Sequence, residues 1–171
     1  MPKEGPLHPY RRRGALALAV PLVVAACSDT LSDPIIPGFY ATLSGDQIVA
    51  AAGGPGTGTV NFVTGADSGL TVAGGVFSNL AGTPTKIAIY VGGQTVNGTE
   101  RADICGGVAP ACAAAQATGL TSGTPVVMRA GFTKGQLYTA LHTYGNGYVQ
   151  INTVAITTGE IRGVLVFNPL R

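Results

Sequence analysis

This chain of 171 residues has no tryptophan, two histidines, three cysteines and only 11% charged residues. Each scarcity excludes something. A zinc or copper centre needs clustered His, Cys or carboxylate donors. His8 lies near the N-terminus and His142 stands alone far downstream, so no imidazole cluster exists and we expect no metal and no cofactor. There is no G-x-S-x-G elbow, and a Ser/His/Asp triad would have to recruit His142. Four of the ten cations, Lys3 and Arg11 to Arg13, precede residue 14. Beyond residue 26, Lys86, Arg101, Arg129, Lys134, Arg162 and Arg171 face seven carboxylates. That near-neutral balance leaves no basic stripe for phosphates, so nucleic acid is not an expected partner. No apolar run reaches the roughly 20 residues a helix needs to cross a bilayer. Disorder is excluded as well, because it requires much charge and few β-branched residues.

Glycine, threonine, valine and alanine are abundant instead. Such a composition suits many short strands joined by tight turns. At the N-terminus, Arg11-Arg12-Arg13 precede the apolar run Gly14 to Ala26, which ends in Val24-Ala25-Ala26-Cys27. A basic flank, a short hydrophobic segment and small residues at the cut form the layout of a secretory signal. A cysteine after two small residues resembles a bacterial lipobox. That resemblance implies cleavage before Cys27, diacylation of its thiol and acylation of its new amine. One acyl chain binds a membrane marginally; at about 0.8 kcal/mol per buried CH₂, two or three hold firmly. The alternative is an ordinary cleaved signal with an incidental cysteine. Twin-arginine export through Arg12-Arg13 is a second route, which Gly14-Ala15-Leu16 fit poorly. The expected organisation is a signal peptide over 1–26, a Pro-containing tether over 27–38 and a domain over 39–171. The chain is expected outside the cytoplasm, held to a bacterial membrane. Ser28 after the cysteine resembles the sorting signal for the outer membrane.

With Cys27 acylated, Cys105 and Cys112 remain, and an even remainder in an exported chain suggests a disulfide. The spacing is not C-x-x-C and no helix start follows, which argues against a redox-active pair. The pattern predicts strands over Phe39–Ser44, Gly58–Val63, Leu70–Leu80 with a bulge at Gly74-Gly75, Lys86–Val91, Pro125–Ala130, Tyr148–Val154 and Gly159–Phe167. Val60 and Phe62 would share a face, as would Ile87, Ile89 and Val91. Residues 92–123 read as a long Gly- and Ala-rich insert. Gly53-Gly54-Pro55-Gly56 precedes a strand rather than a helix, so it is a turn and not a phosphate cradle. Thr133 and Gln136 fit a capping box, Phe132 and Leu137 a hydrophobic staple, and Leu137 and Leu141 one buried helical face. These elements predict an all-β fold: an antiparallel, immunoglobulin-like β-sandwich of about seven or eight strands with one short helix.

The end of the chain is its most specific text. Tyr148-Val149-Gln150-Ile151-Asn152-Thr153 is followed by Gly159-Glu160-Ile161-Arg162-Gly163-Val164-Leu165. This resembles the Y-V-N-V-H-T…G-E-I-R-G-x-L ending of the chordin-type domain, CHRD. Phe39 to Gly45 is similar to the family's F-x-A-x-L-S-G opening, and Leu80 to Gly92 to its L-x-G…T-x-x-H-I-H-x-G block. The resemblance implies a non-catalytic binding or structural module, with an envelope protein or glycan as partner in a bacterium. It also marks Tyr148, Thr153, Gly159, Glu160, Ile161, Arg162 and Gly163 as the family-motif residues. The family's H-x-H block is similar to one in copper–zinc superoxide dismutases, which makes a metal-dependent redox enzyme the alternative. Here the His positions carry Ala88, Tyr90 and Asn152, which argues against that alternative. Glu160 and Arg162, two apart on a strand, are expected on one side, where they could form an ion pair. The functional option is a recognition spot or an acid with an electrostatic partner; the favoured one is a structural pair that holds two strands or satisfies a loop carbonyl, since a lone acid lacks a second carboxylate or nucleophile for hydrolysis. Tyr138, Tyr144 and Tyr148 read as packing residues, with an aromatic surface for a sugar or peptide as the other option.

Overall fold

The computed structural model describes residues 37–49 and 52–169; the expected signal peptide, Cys27 and nearly all of the tether lie outside them. Apolar–polar alternation organises the chain from its first strand. In β1 (Gly38–Ser44), Phe39, Ala41 and Leu43 are buried while Tyr40 and Thr42 face out. β2 (Thr57–Thr64) turns Val60 and Phe62 inward. β3 (Leu70–Ser78) buries Leu70, Val72 and Phe77. The parity of that last set changes partway because the register jumps from Phe62↔Val72 to Asn61↔Gly74, leaving Ala73 as an extra residue. A bulge of this kind re-aims the side chains beyond it. It lies one residue before the expected Gly74-Gly75.

Next come β4 (Pro84–Val91), β5 (Thr99–Cys105), the two-residue strands β6 (Gly119–Leu120) and β7 (Val127–Met128), and the helix α1 (Lys134–His142). β8 (Gly147–Thr153), β9 (Ile161–Val164) and β10 (Val166–Asn168) complete the order. All pairings are antiparallel and run β6-β3-β2-β1-β9-β8-β4-β5-β7, with β10 added to β1. The fold is therefore all-β, one sheet curled into a half-barrel around a core of Phe39, Phe62, Ile87, Ile89, Val149, Ile151 and Ile161. Seven strands have four residues or more and three are shorter, against the seven or eight expected.

Three expectations change. The supposed insert 92–123 contains β5, a full strand between β4 and β7, and also β6. The strand expected over Pro125–Ala130 is split between partners: Pro125 bridges Thr71 of β3, and only Val127–Met128 pairs with β5. The strand expected over Gly159–Phe167 is interrupted at Leu165, whose N–H donates instead to the Gly147 carbonyl. Its two halves still share one register on β1, Gly38↔Asn168 through Ser44↔Arg162.

The sheet's two ends are covered by a single stretch of chain. Residues 119–120 pair with β3, and the Val72 N–H donates to the Thr124 carbonyl at 2.9 Å. Residues 127–128 pair with β5. Exposed sheet edges invite further strands; here residues 119–128 bond to both. The Cys105–Cys112 disulfide ties the chain leading into that stretch to the end of β5. α1 begins as expected: the Gln136 N–H donates to Thr133 Oγ1 and the Thr133 N–H donates to Gln136 Oε1. Leu137 and Leu141 enter the core.

Candidate functional site

Register places the candidate residues together. Lys86↔Asn152, Ala88↔Gln150 and Tyr90↔Tyr148 are opposite pairs on β4 and β8. Gln150↔Arg162 extends the row to β9, while Ala88↔Asp103 and Tyr90↔Glu100 extend it to β5. Directly opposite residues share a face. One face of β5-β4-β8-β9 thus carries a belt of polar side chains. Much of it is buried, because three loops fold across it and their backbone groups meet these side chains.

Arg162 holds the first loop. It is 1% exposed, and its Nη2 donates to the carbonyls of Gly93, Gln94 and Val96 at 2.9, 3.2 and 3.1 Å. Its guanidinium carbon lies 3.4 Å from the centroid of the Tyr148 ring, which is itself stacked on Tyr90 at 5.1 Å. The Tyr148 hydroxyl accepts a hydrogen bond from the Gly98 N–H at 2.8 Å. Burial lowers the pKa of the guanidinium from its ordinary value. Carbonyl dipoles and an aromatic face take the place of a counter-ion here.

Glu160 holds a second set of loops. Its Oε2 accepts from the Thr153 hydroxyl at 2.6 Å and its Oε1 from the Ala81 N–H at 2.5 Å. Its own carbonyl accepts from the Gly54 N–H at 2.8 Å. Among the described residues no ion pair joins Glu160 to Arg162; the loop-carbonyl option is the one observed. The two motif glycines have separate causes. Gly159 sits at φ +125°, a conformation side-chain-bearing residues rarely adopt. Gly163 lets β9 approach β1 where a Cβ would collide with the Thr42 carbonyl. Ile161 is fully buried in the core.

The third loop is held by amides. Gln150 Nε2 donates to Asn152 Oδ1 at 3.1 Å and to the Thr158 carbonyl at 3.2 Å. Asn152 Nδ2 donates to the Thr157 carbonyl at 2.7 Å. Asn152 therefore caps a turn, and Ala88, opposite Gln150, is fully buried. Among the described residues, no three His, Cys, Asp or Glu side chains are grouped to hold a metal.

At the β5 end lies a cluster that the sequence reading missed. Glu100 accepts from Lys86 Nζ at 2.7 Å, from the Tyr90 hydroxyl at 3.1 Å and from Arg129. Arg129 also pairs with Asp103 Oδ2 at 3.0 Å, and that oxygen accepts from the Val108 N–H at 2.9 Å. Burial, and then the neighbouring Glu100, raise the Asp103 pKa. For Glu100, burial works upward, but hydrogen bonds with Asp103 and Lys86 outweigh it and the net shift is downward. Burial and the Glu100 charge push the Tyr90 phenol well up. The cluster gave little local signal, because Ala102 to Cys105 are buried in a continuous run between glycine- and alanine-rich flanks.

The remaining aromatics divide. Tyr138 makes edge contact with Phe39 at 6.0 Å and stacks on the exposed His142 at 5.1 Å. Tyr144 is 66% exposed. Cys105 and Cys112 are disulfide-bonded, with Cα atoms 4.8 Å apart. In comparisons with known proteins, the chain matches no family model, no curated protein and no solved structure.

Proposed function

We propose that this chain is an extracytoplasmic lipoprotein, anchored through lipid on Cys27 to a bacterial membrane, at the outer membrane or the periplasmic face. It carries a non-catalytic, CHRD-like module of the cell envelope that binds a protein or glycan, or serves structurally. The observation that carries the non-catalytic reading is where the motif residues point. Glu160 and Arg162 meet the protein's own hydroxyl, N–H and carbonyl groups. A general acid or base must instead reach a substrate proton. The same reading takes the curled sheet as a distorted immunoglobulin-like sandwich, whose halves β3-β2-β1 and β8-β4-β5 face each other across the core. The CHRD likeness rests on the text of residues 39–45, 80–92 and 148–165.

A metal-dependent redox enzyme similar to copper–zinc superoxide dismutase is disfavoured by Ala88, Tyr90 and Asn152 at the family's His positions. Fractionation tests the anchor. The wild-type chain is expected to pellet with membranes and to release palmitate on hydrolysis, and Cys27→Ser to stay soluble or unprocessed. An unlipidated mature N-terminus overturns the anchor. A stoichiometric transition metal in the purified protein overturns the non-catalytic module.

A further inference from the structure

The outer face of β10-β1-β2-β3 differs in kind from the charged belt. Tyr40, 40% exposed, lies opposite Val166 on one side and Asn61 on the other. Thr42 lies opposite Thr59, which in turn faces Val76; Ser44, Thr57 and Ser78 form the next rung. Two hollows open along these rungs. One of about 640 Å³ is lined by Tyr40, Thr59, Asn61 and Asn168 among others. The other, of about 380 Å³, is lined by Thr42, Ser44, Thr57 and Val76 and shares Thr59 with the first. Among the described residues, none lining either hollow is charged.

We propose that this face is a binding track for a neutral oligosaccharide, resting on the reading of the domain as a non-catalytic module. The carbon-bound hydrogens of a pyranose pack against an aromatic ring, and Tyr40 offers a ring with a polar tip. Its hydroxyls need donors and acceptors at close intervals, which Asn61, Thr59, Thr42 and Thr57 supply. A charged ligand would lose hydration here without gaining a counter-charge, so the track matches a neutral one. From Tyr40 to Ser44 the strand advances about 14 Å, the span of a short oligosaccharide. A protein partner would more often meet an apolar, aromatic-rich centre than rows of hydroxyls.

The test titrates the full chain, in detergent, calorimetrically with neutral hexasaccharides of glucose, mannose and N-acetylglucosamine, and with an oligogalacturonate. At least one neutral hexasaccharide is expected to bind, and the anionic one not. Tyr40→Ala should raise Kd tenfold or more and Asn61→Ala several-fold, with unchanged melting. Tyr144→Ala, an exposed aromatic elsewhere, should bind as wild type. Binding of no neutral sugar, or Tyr40→Ala binding like wild type, overturns the assignment. A photo-cross-linker at position 76 that captures an envelope protein while no sugar binds also overturns it, leaving the module reading intact. Release of reducing ends during the titration overturns the module reading itself.

Discussion

Removing the Arg162 side chain is the sharpest perturbation available to the fold. The guanidinium is a buried cation that bonds three carbonyls of one loop and covers the face of Tyr148. Hydrogen bonds from a charged donor contribute about 1.5–3 kcal/mol each before non-additivity. A desolvated cation–π contact adds up to about 2 kcal/mol. The cost of burying the charge offsets part of this, and breaking comparable buried polar arrangements costs about 3–5 kcal/mol. We expect Arg162→Ala to lose about 4 kcal/mol, or roughly 10–15 °C in Tm for a domain of this size. Arg162→Met keeps volume and removes the buried charge, so it should lose less, about 2 kcal/mol. Arg162→Lys should fall between, since an ammonium can still donate to the loop carbonyls but cannot lie flat on the Tyr148 ring. Urea denaturation with unchanged slope measures the energies. Amide exchange localises them: residues 93–98 should lose protection in all three variants, while β1 and β2 should not. Arg162→Ala within 1 kcal/mol of wild type, with protection at Gly98 unaltered, would refute the reasoning.

Three further outcomes follow from the same contacts. Replacing Cys105 and Cys112 by serine should cost about 2.5 kcal/mol by the chain-entropy relation for so small a ring; denaturation under oxidising conditions checks it, and an unchanged midpoint would contradict it. Glu100 has a lowered pKa, so its stabilisation is present above its unfolded value and is lost as pH falls through the folded one. Asp103 has a raised pKa, so its contribution is present below its unfolded value and is lost as pH rises through the folded one. The two therefore oppose each other in the acidic range, and Glu100→Gln should lower the Asp103 pKa by removing its like-charged neighbour, read by carbon-detected NMR titration. At the surface, Lys134→Ala should bring the Asp67 pKa back up toward its ordinary value with little change in stability, because the pair is solvent-exposed.

Strands with clean alternation are legible in the sequence itself. Phe39, Ala41 and Leu43, or Val60 and Phe62, specify which face is buried by period alone. The capping box of α1 was equally local, since Thr133 and Gln136 satisfy each other within one turn. The half-cystine pair followed from counting. β5 was not legible, because its buried set, Ala102, Asp103, Ile104 and Cys105, is continuous rather than alternating. A strand covered on both faces loses its period, and here one face is covered by charge partners from β4 and residue 129.

The sequence alone determined the strand-rich character, the helix start, the disulfide partners and the crowding of function-suggestive text into residues 148–165. Tertiary structure alone decided what that text does. Whether Glu160 and Arg162 would meet each other, a ligand or the backbone depended on loops 53–56, 79–82 and 92–98, which are distant in sequence and arrive only when the sheet curls. It likewise decided that residues 119–128 would join both ends of the sheet. Hydrogen-bond partners across such separations are fixed by closure of the whole sheet, and no local pattern encodes them.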